Sequence, residues 1–413
     1  MPAPTGGRSA LRRLIGVSVD EFASQYWGSR PLLTRAADLP RDFRDLFSND
    51  AVDELVSRRG LRAPFLRVAK NGSTLPDSAF TAGGGTGAGI ADQASDDKLM
   101  RLFGDGATIV LQGLHRTWEP VLDFTQDLAA DLGHPVQVNA YVTPAQNTGF
   151  SDHYDVHDVF VLQIAGEKRW RIREPVHRSP LRDQPWTDHR AAVEAAAQES
   201  PLLEETLRPG DVLYLPRGYL HAATALGDVS THLTIGVHPW TRRHLADELV
   251  ARALSAASED ERVRASLGLG VDLTDAGAWE SDLDVVREAL VRALRDLPAE
   301  SLTDALDLRS RQSQRAAPVN PVATVRAASQ LDGTERLSLR PHLEIRLDDD
   351  RLRSRAGDIA LEPSETDRVS DLLTTGVAST ADLGIDLARR LLLGGVVVLT
   401  EPVDNAVDEL SHP

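Results

Sequence analysis

The chain has 413 residues, more than one hydrophobic core usually serves, so two or three domains are expected. Its 45 basic and 62 acidic residues leave a formal charge of −17, a field that repels phosphate backbones and anionic lipid and argues against direct nucleic-acid or membrane-surface partners. There is no cysteine, which excludes disulfides, Cys-based zinc sites, iron–sulfur clusters and thiol nucleophiles.

The first 22 residues, MPAPTGGRSALRRLIGVSVDEF, are basic but hold no apolar stretch long enough for a signal peptide; a basic first helix is expected. Residues 20–26 read as the start of a helix, and Pro31-Leu32-Leu33 as entry into a strand. The GGGTGAG run at 83–89 lacks the G-x-x-x-x-G-K spacing of a phosphate loop and follows polar residues rather than a strand, so it reads as a flexible loop.

From about residue 107 to 237 the pattern changes. ATIVLQGL, VQVNAYVT, DVFVLQIAG, KRWRIRE, DVLYLPRG and HLTIGVH are rich in β-branched and aromatic residues and bounded by Gly, Pro and Asp. Short strands at such close spacing point to a β-barrel or a double-sheet jelly roll. After Pro239 the strands stop. Leu245, Leu249 and Leu254 suggest one helix. Leu283, Val286, Leu290, Leu294 and Leu297 define another with a single apolar stripe, started by Ser281 with Asp284 and stopped by Pro298.

Pro318 and Pro321 bracket a linker. Beyond it, ERLSLRPHLEIRL and IALE read as strands, with helices from about Glu365 and Ala381 and a final strand VVVL, a winged-helix pattern. Residues 331–413 carry nine Arg against 17 Asp and Glu, the wrong sign for reading DNA, so scaffold or protein contact is the expected role. The longest apolar stretch, 391–399, contains two glycines and falls far short of a membrane span. A cytoplasmic protein is expected.

Two segments carry chemistry. His153-Tyr154-Asp155 stands just ahead of VFVLQIAG, and a His-x-Asp pair in extended backbone turns both side chains to one face. Composition alone supplies about two His-x-acid pairs by chance, and the chain has two, the other being His342-x-Glu344, which reads as a random match. RPGDVLYLPRGYLH is more telling. Gly210, Pro216, Gly218 and His221 fit G-x5-P-x-G-x2-H, expected by chance in roughly 0.004 of such chains. Two histidines and one carboxylate make a facial triad suited to Fe(II), with open positions for further ligands. His157, on the same face as Asp155, is a rival ligand or a neighbour of the site.

These motifs resemble the JmjC-type, cupin-fold ribosomal oxygenases, which are 2-oxoglutarate-dependent protein hydroxylases acting on arginine or histidine. The likeness runs through FASQYWGSRPLLTR at 22–35, NAYVTPAQNTGFSDHYDVHDVFVLQIAGEKRWRI, and GDVLYLPRGYLH followed by STHLTI. It implies an α+β architecture with a double-stranded β-helix (jelly-roll, cupin) core. That catalytic domain, with an N-terminal helical region, is expected over residues 1–240, a helical homodimerisation segment over 241–317 and an acidic winged helix over 318–413.

The resemblance implies that His153, Asp155 and His221 hold Fe(II). It puts Lys168 against the far carboxylate of 2-oxoglutarate, Asn139 near its chelating end, and Tyr141 beside cosubstrate or substrate. Lysine is scarce here, with only Lys70, Lys98 and Lys168, which sharpens the match at 168. Two positions depart from the family: Gly236 replaces a serine that contacts cosubstrate in some members, and Ala225 stands where the cupin motif ends in Asn. The expected activity is hydroxylation of a protein side chain, with ribosomal-protein arginine or histidine as target. The rivals are tailoring of a natural product or modified peptide, N-demethylation through the same chemistry, and a non-enzymatic dimeric scaffold.

Overall fold

The computed structural model describes residues 8–400 apart from 71 and 149. The residues before Arg8 and the end of the chain, His412 included, lie outside the described residues. The chain divides into two compact units, residues 1–239 and 240–413.

In the first unit one antiparallel sheet carries the fold. Its strands neighbour one another in the order Leu32–Thr34, Val212–Leu215, Asp158–Arg173, Leu220–Val237, Val136–Thr143, Thr108–Leu111, Leu66–Lys70 and Ser73–Thr74, and Leu203–Leu207 pairs with the distal half of Asp158–Arg173. DVFVLQIAG and KRWRIRE, expected as separate strands, form one 16-residue strand, and HLTIGVH is the end of an 18-residue strand. These two long strands pair twice. Residues 158–163 align with 232–237 and 167–173 with 220–226, and a register shift separates the halves. The shift bends both strands, so that each pairs in two halves in the manner of a double-stranded β-helix.

Side chains alternate across this sheet with period two. Leu66, Val68, Ile109, Leu111, Val138, Ala140, Val142, Leu233 and Ile235 face a core shared with Leu11, Leu55, Val121 and Leu128 of the covering helices Ser9–Arg12, Asn49–Arg58 and Glu119–Leu132. Burying each large apolar side chain contributes about 1.5–3 kcal/mol, so this face anchors the barrel. The alternate residues Arg67, Thr108, Tyr141, His232 and Thr234 turn the other way and line a cavity. The helix expected from residue 20 is Val19–Glu21 continued by a π-turn, Phe22–Tyr26, whose Phe22 packs edge-on against Tyr214 at 5.0 Å.

In the second unit, helices Arg242–Ala257 and Glu280–Asp296 each bury alanines, Ala253 and Ala257 on one and Ala289 on the other. The Glu280–Asp296 helix starts after Trp279 with no side-chain cap, so Ser281 is not the cap the sequence suggested; Asp284 pairs with Arg287 at 2.8 Å instead. Its stripe stays partly open to solvent, with Leu294 exposed. Farther on, Leu337, Leu352, Val369, Leu372, Leu387, Leu391 and Val397 share one core. ERLSLRPHLEIRL is broken into Arg336–Leu339 and Arg346–Asp348, with His342 and Glu344 at positive φ between them, so the second His-x-acid pair is not on a strand. Gly384, at φ +80, splits the helix expected from Ala381 into Thr380–Leu383 and Ile385–Leu393. No helix among the described residues is long and apolar enough to cross a membrane.

Candidate metal centre

His153 lies in a loop before the Asp158–Arg173 strand and makes an isolated antiparallel bridge with His221, the second residue of Leu220–Val237. This bridge sets the imidazoles side by side, with ring centroids 4.4 Å apart. Each ring is oriented through its Nδ1, at 2.7 Å from the Ser151 carbonyl for His153 and 3.1 Å from the Tyr219 carbonyl for His221. With Nδ1 donating, the Nε2 lone pair is left for a metal. His221 Nε2 points at Asp155 Oδ2, 3.7 Å away, and ligand atoms of His153, Asp155 and His221 all lie within 4.8 Å of one another.

The turn between strands holds the third ligand. Gly218 sits at φ +92, and a Cβ there would fall 2.6 Å from the His177 carbonyl oxygen, so only glycine fits. Its N–H donates to the Asp155 carbonyl at 3.0 Å. Asp158, fully buried, accepts from the Tyr214 hydroxyl at 2.8 Å and the Arg217 N–H at 3.0 Å, fastening the other side of the turn. The Pro216-Arg217-Gly218 spacing thus brings Asp155 to His221.

Protonation suits a cation. Burial, with the neighbouring His153 charge, lowers His221 to about 4, so its imidazole is neutral. Burial would raise Asp155, but the imidazoles around it, His157 first, outweigh burial and hold the carboxyl below the usual range. His157 is not part of the converging group. It stacks on His238 at 5.1 Å, and its ring fills the space a side chain at Gly236 would need, 2.5 Å from where a Cβ would stand.

The centre opens on a cavity of about 570 Å³. Lys168 reaches it from Asp158–Arg173, almost fully buried, with Nζ donating to Thr143 Oγ1 at 3.1 Å; burial lowers its ammonium to about 7. Tyr141 forms another wall, its ring parallel to His232 at 5.0 Å and edge-on to Phe150 at 6.2 Å; burial pushes its hydroxyl up to about 12. Asn139 is not among the lining residues; its Oδ1 accepts from the Gly113 N–H at 3.1 Å. Sequence reasoning missed Arg67, Thr108, Trp170, Trp186, Arg190 and His232, all of which line the cavity. Period two forward from Tyr141 reaches Thr143, the partner of Lys168, but Arg67 belongs to a distant strand with no motif to mark it, and His232, within STHLTI, was given no role.

A double-stranded β-helix with two histidines and one carboxylate converging at a cavity is a cupin fold with a candidate metal site. More narrowly, residues 117–245 match the JmjC domain, and similar proteins are named ribosomal oxygenase 1 or NO66. It is 29% identical over 299 residues to the bifunctional lysine-specific demethylase and histidyl-hydroxylase NO66 of Culex quinquefasciatus, covering 70% of this chain and 44% of that one. It is 29% identical over 303 residues to ribosomal oxygenase 1 of Gallus gallus, covering 72% and 48%. The chain thus spans about half the length of these curated relatives. Among solved structures, the Escherichia coli ribosomal oxygenase YcfD, in complex with cobalt and 2-oxoglutarate, superposes with a TM-score of 0.55 at 17% identity over 94% of this chain and 99% of that one, a likeness of fold.

Proposed function

We propose that the protein is an Fe(II)- and 2-oxoglutarate-dependent oxygenase that hydroxylates a protein side chain, an arginine or histidine of a ribosomal protein. The observation that carries this reading is one cavity with a three-ligand cluster and, in its wall, the buried Lys168 ammonium. The donor set fits ferrous iron: two neutral imidazoles and one carboxylate leave coordination positions free for a bidentate ligand and dioxygen. A buried ammonium calls for an anion, and the far carboxylate of 2-oxoglutarate supplies one. The names of the relatives and the cobalt and 2-oxoglutarate complex of YcfD support the same cosubstrate and substrate class.

Bound iron with 2-oxoglutarate and dioxygen supplies the oxidising chemistry that places one oxygen atom in a C–H bond and releases succinate and carbon dioxide. The chain does the rest. His153, Asp155 and His221 hold the ion, with their carbonyl partners fixing both imidazoles. Lys168 and Thr143 anchor the far end of the cosubstrate, and Tyr141, Trp170 and His232 wall its sides and keep water out. Phe150, Trp186 and Arg190 complete the lining of the cavity that would receive the side chain to be hydroxylated.

The partition into a catalytic domain over 1–240, a helical segment over 241–317 and a winged helix over 318–413 belongs to the same reading, as does a cytoplasmic homodimer. The exposed Leu294 on the Glu280–Asp296 helix supports self-association through the helical segment, and the acidic balance of residues 331–413 supports a protein contact. The decisive experiment incubates iron-loaded protein and 2-oxoglutarate with ribosomal proteins, reading succinate and intact mass. A gain of one oxygen atom on an arginine or histidine is expected. Turnover of a small molecule with no protein product would refute the substrate and leave the chemistry standing.

A further inference from the structure

The segment that carries two of the metal ligands, residues 152–155, is not held by the sheet alone: apart from the bridge at His153 it lies in a loop. Three contacts fasten it to residues 174–199, the stretch between the strands Asp158–Arg173 and Leu203–Leu207. Asp152 pairs with Arg173 at 2.5 Å, and the same guanidinium donates through Nε to the Glu199 carbonyl at 3.1 Å, at the far end of the stretch. The Gly218 N–H that holds the Asp155 carbonyl belongs to a turn lying against His177 and Pro180. Tyr154, between the two ligands, turns away from the cavity and is fully buried. It shares an apolar cluster with Val193 and Leu220, and its hydroxyl donates to the Gln184 carbonyl at 3.1 Å. The other side of the same stretch lines the cavity with Trp186, Arg190 and Glu194, spaced four apart, and the Arg190 guanidinium lies over the Trp186 ring at 4.6 Å.

We infer that Tyr154 is a positioning residue that couples this stretch to the metal ligands on either side of it. His153 and Asp155, once ordered around a metal, also order the cavity wall at Trp186 and Arg190 that receives the substrate side chain. This rests on the metal and substrate readings above. Coupling of this kind is reciprocal, so a substrate seated against Trp186 and Arg190 orders the ligands in turn. Tyr154 does not line the cavity; it acts through its ring and its one hydrogen bond.

Hydrogen exchange of the full chain, with and without Co(II), tests it. In wild type, Co(II) should slow exchange of the amides of residues 184–196 at least about fivefold. Tyr154→Phe keeps the ring in its cluster and removes only the bond to Gln184. It should lose most of that slowing while Co(II) affinity stays near wild type. Val193→Ala, made on the stretch itself, should act in the same direction. A merely structural Tyr154 would change exchange equally with and without Co(II). That result, an undiminished response in Tyr154→Phe, or a wild-type stretch indifferent to Co(II) would each overturn the inference. In turnover with ribosomal proteins, Tyr154→Phe should form about fivefold less hydroxylated product per succinate, the scale of one hydrogen bond, and an unchanged ratio would overturn its role in placing the substrate. Wild-type protein that binds Co(II) but hydroxylates none of these proteins would refute the substrate reading alone, leaving exchange to decide the coupling. Protein that binds no Co(II) would refute the metal reading and this inference with it.

Discussion

His153 and His221 face each other across a single antiparallel bridge, each donating its N–H to the other's carbonyl, at 3.3 and 2.9 Å. Residues 68 positions apart in the chain are thereby locked by backbone, not by the metal they are proposed to share. The pairing is preorganised, so removing an imidazole should delete a ligand without unfolding the barrel.

His153→Ala, Asp155→Ala and His221→Ala are therefore expected to lower metal affinity by at least about a hundredfold, more than the loss typical of a residue supporting a ligand. Melting temperature should change little in the metal-free protein. Co(II) titration followed by visible absorption reads the first, and calorimetry the second.

The proposed metal site has a defined pH dependence. A metal needs the neutral imidazole, and His221, lowered to about 4, is neutral above that value, so protons compete for it only as the pH falls through about 4. Lys168 behaves oppositely. Its ammonium is lowered to about 7, and an anion favours the charged form, so binding at higher pH takes up a proton. Affinity for 2-oxoglutarate should fall as the pH rises past 7, by up to about tenfold per unit. Calorimetry in buffers of different ionisation enthalpy would detect the uptake; none at pH 8 (about one unit above the free-protein value) would contradict it.

Asp158 is buried and accepts from both Tyr214 and Arg217 at the turn that holds Asp155. Asp158→Ala leaves these donors without their acceptor and should destabilise the protein by about 3 kcal/mol, read by denaturant unfolding. Tyr214→Phe removes one of the bonds and should cost about 1 kcal/mol.

Gly236→Ser restores a side chain where His157 now lies, with a Cβ 2.5 Å from its ring. The ring must move, so a loss of about 1–3 kcal/mol is expected. Gly236→Ser combined with His157→Ala should recover much of it, and thermal unfolding would register the recovery.

The sequence alone carried whatever depends on short-range spacing. Pro216, Gly218 and His221 lie within one turn and the strand entry after it, where a proline and a left-handed glycine determine geometry locally, and short β-branched-rich segments at close spacing pointed to the barrel. Lys168 and Tyr141 were legible only through resemblance, because nothing local says that a lysine on a strand faces inward. Tertiary structure decided the rest. It merged strands that looked separate: Gly166 and Gly227, at φ +63 and +69, lie where the register shifts, but the two halves on either side pair on as one strand. It excluded His157 from the ligand group, and it lined Arg67 up with Tyr141 through the register of three strands. Register is set by which residues pair across the sheet, a property of long-range contacts that no stretch of chain contains by itself.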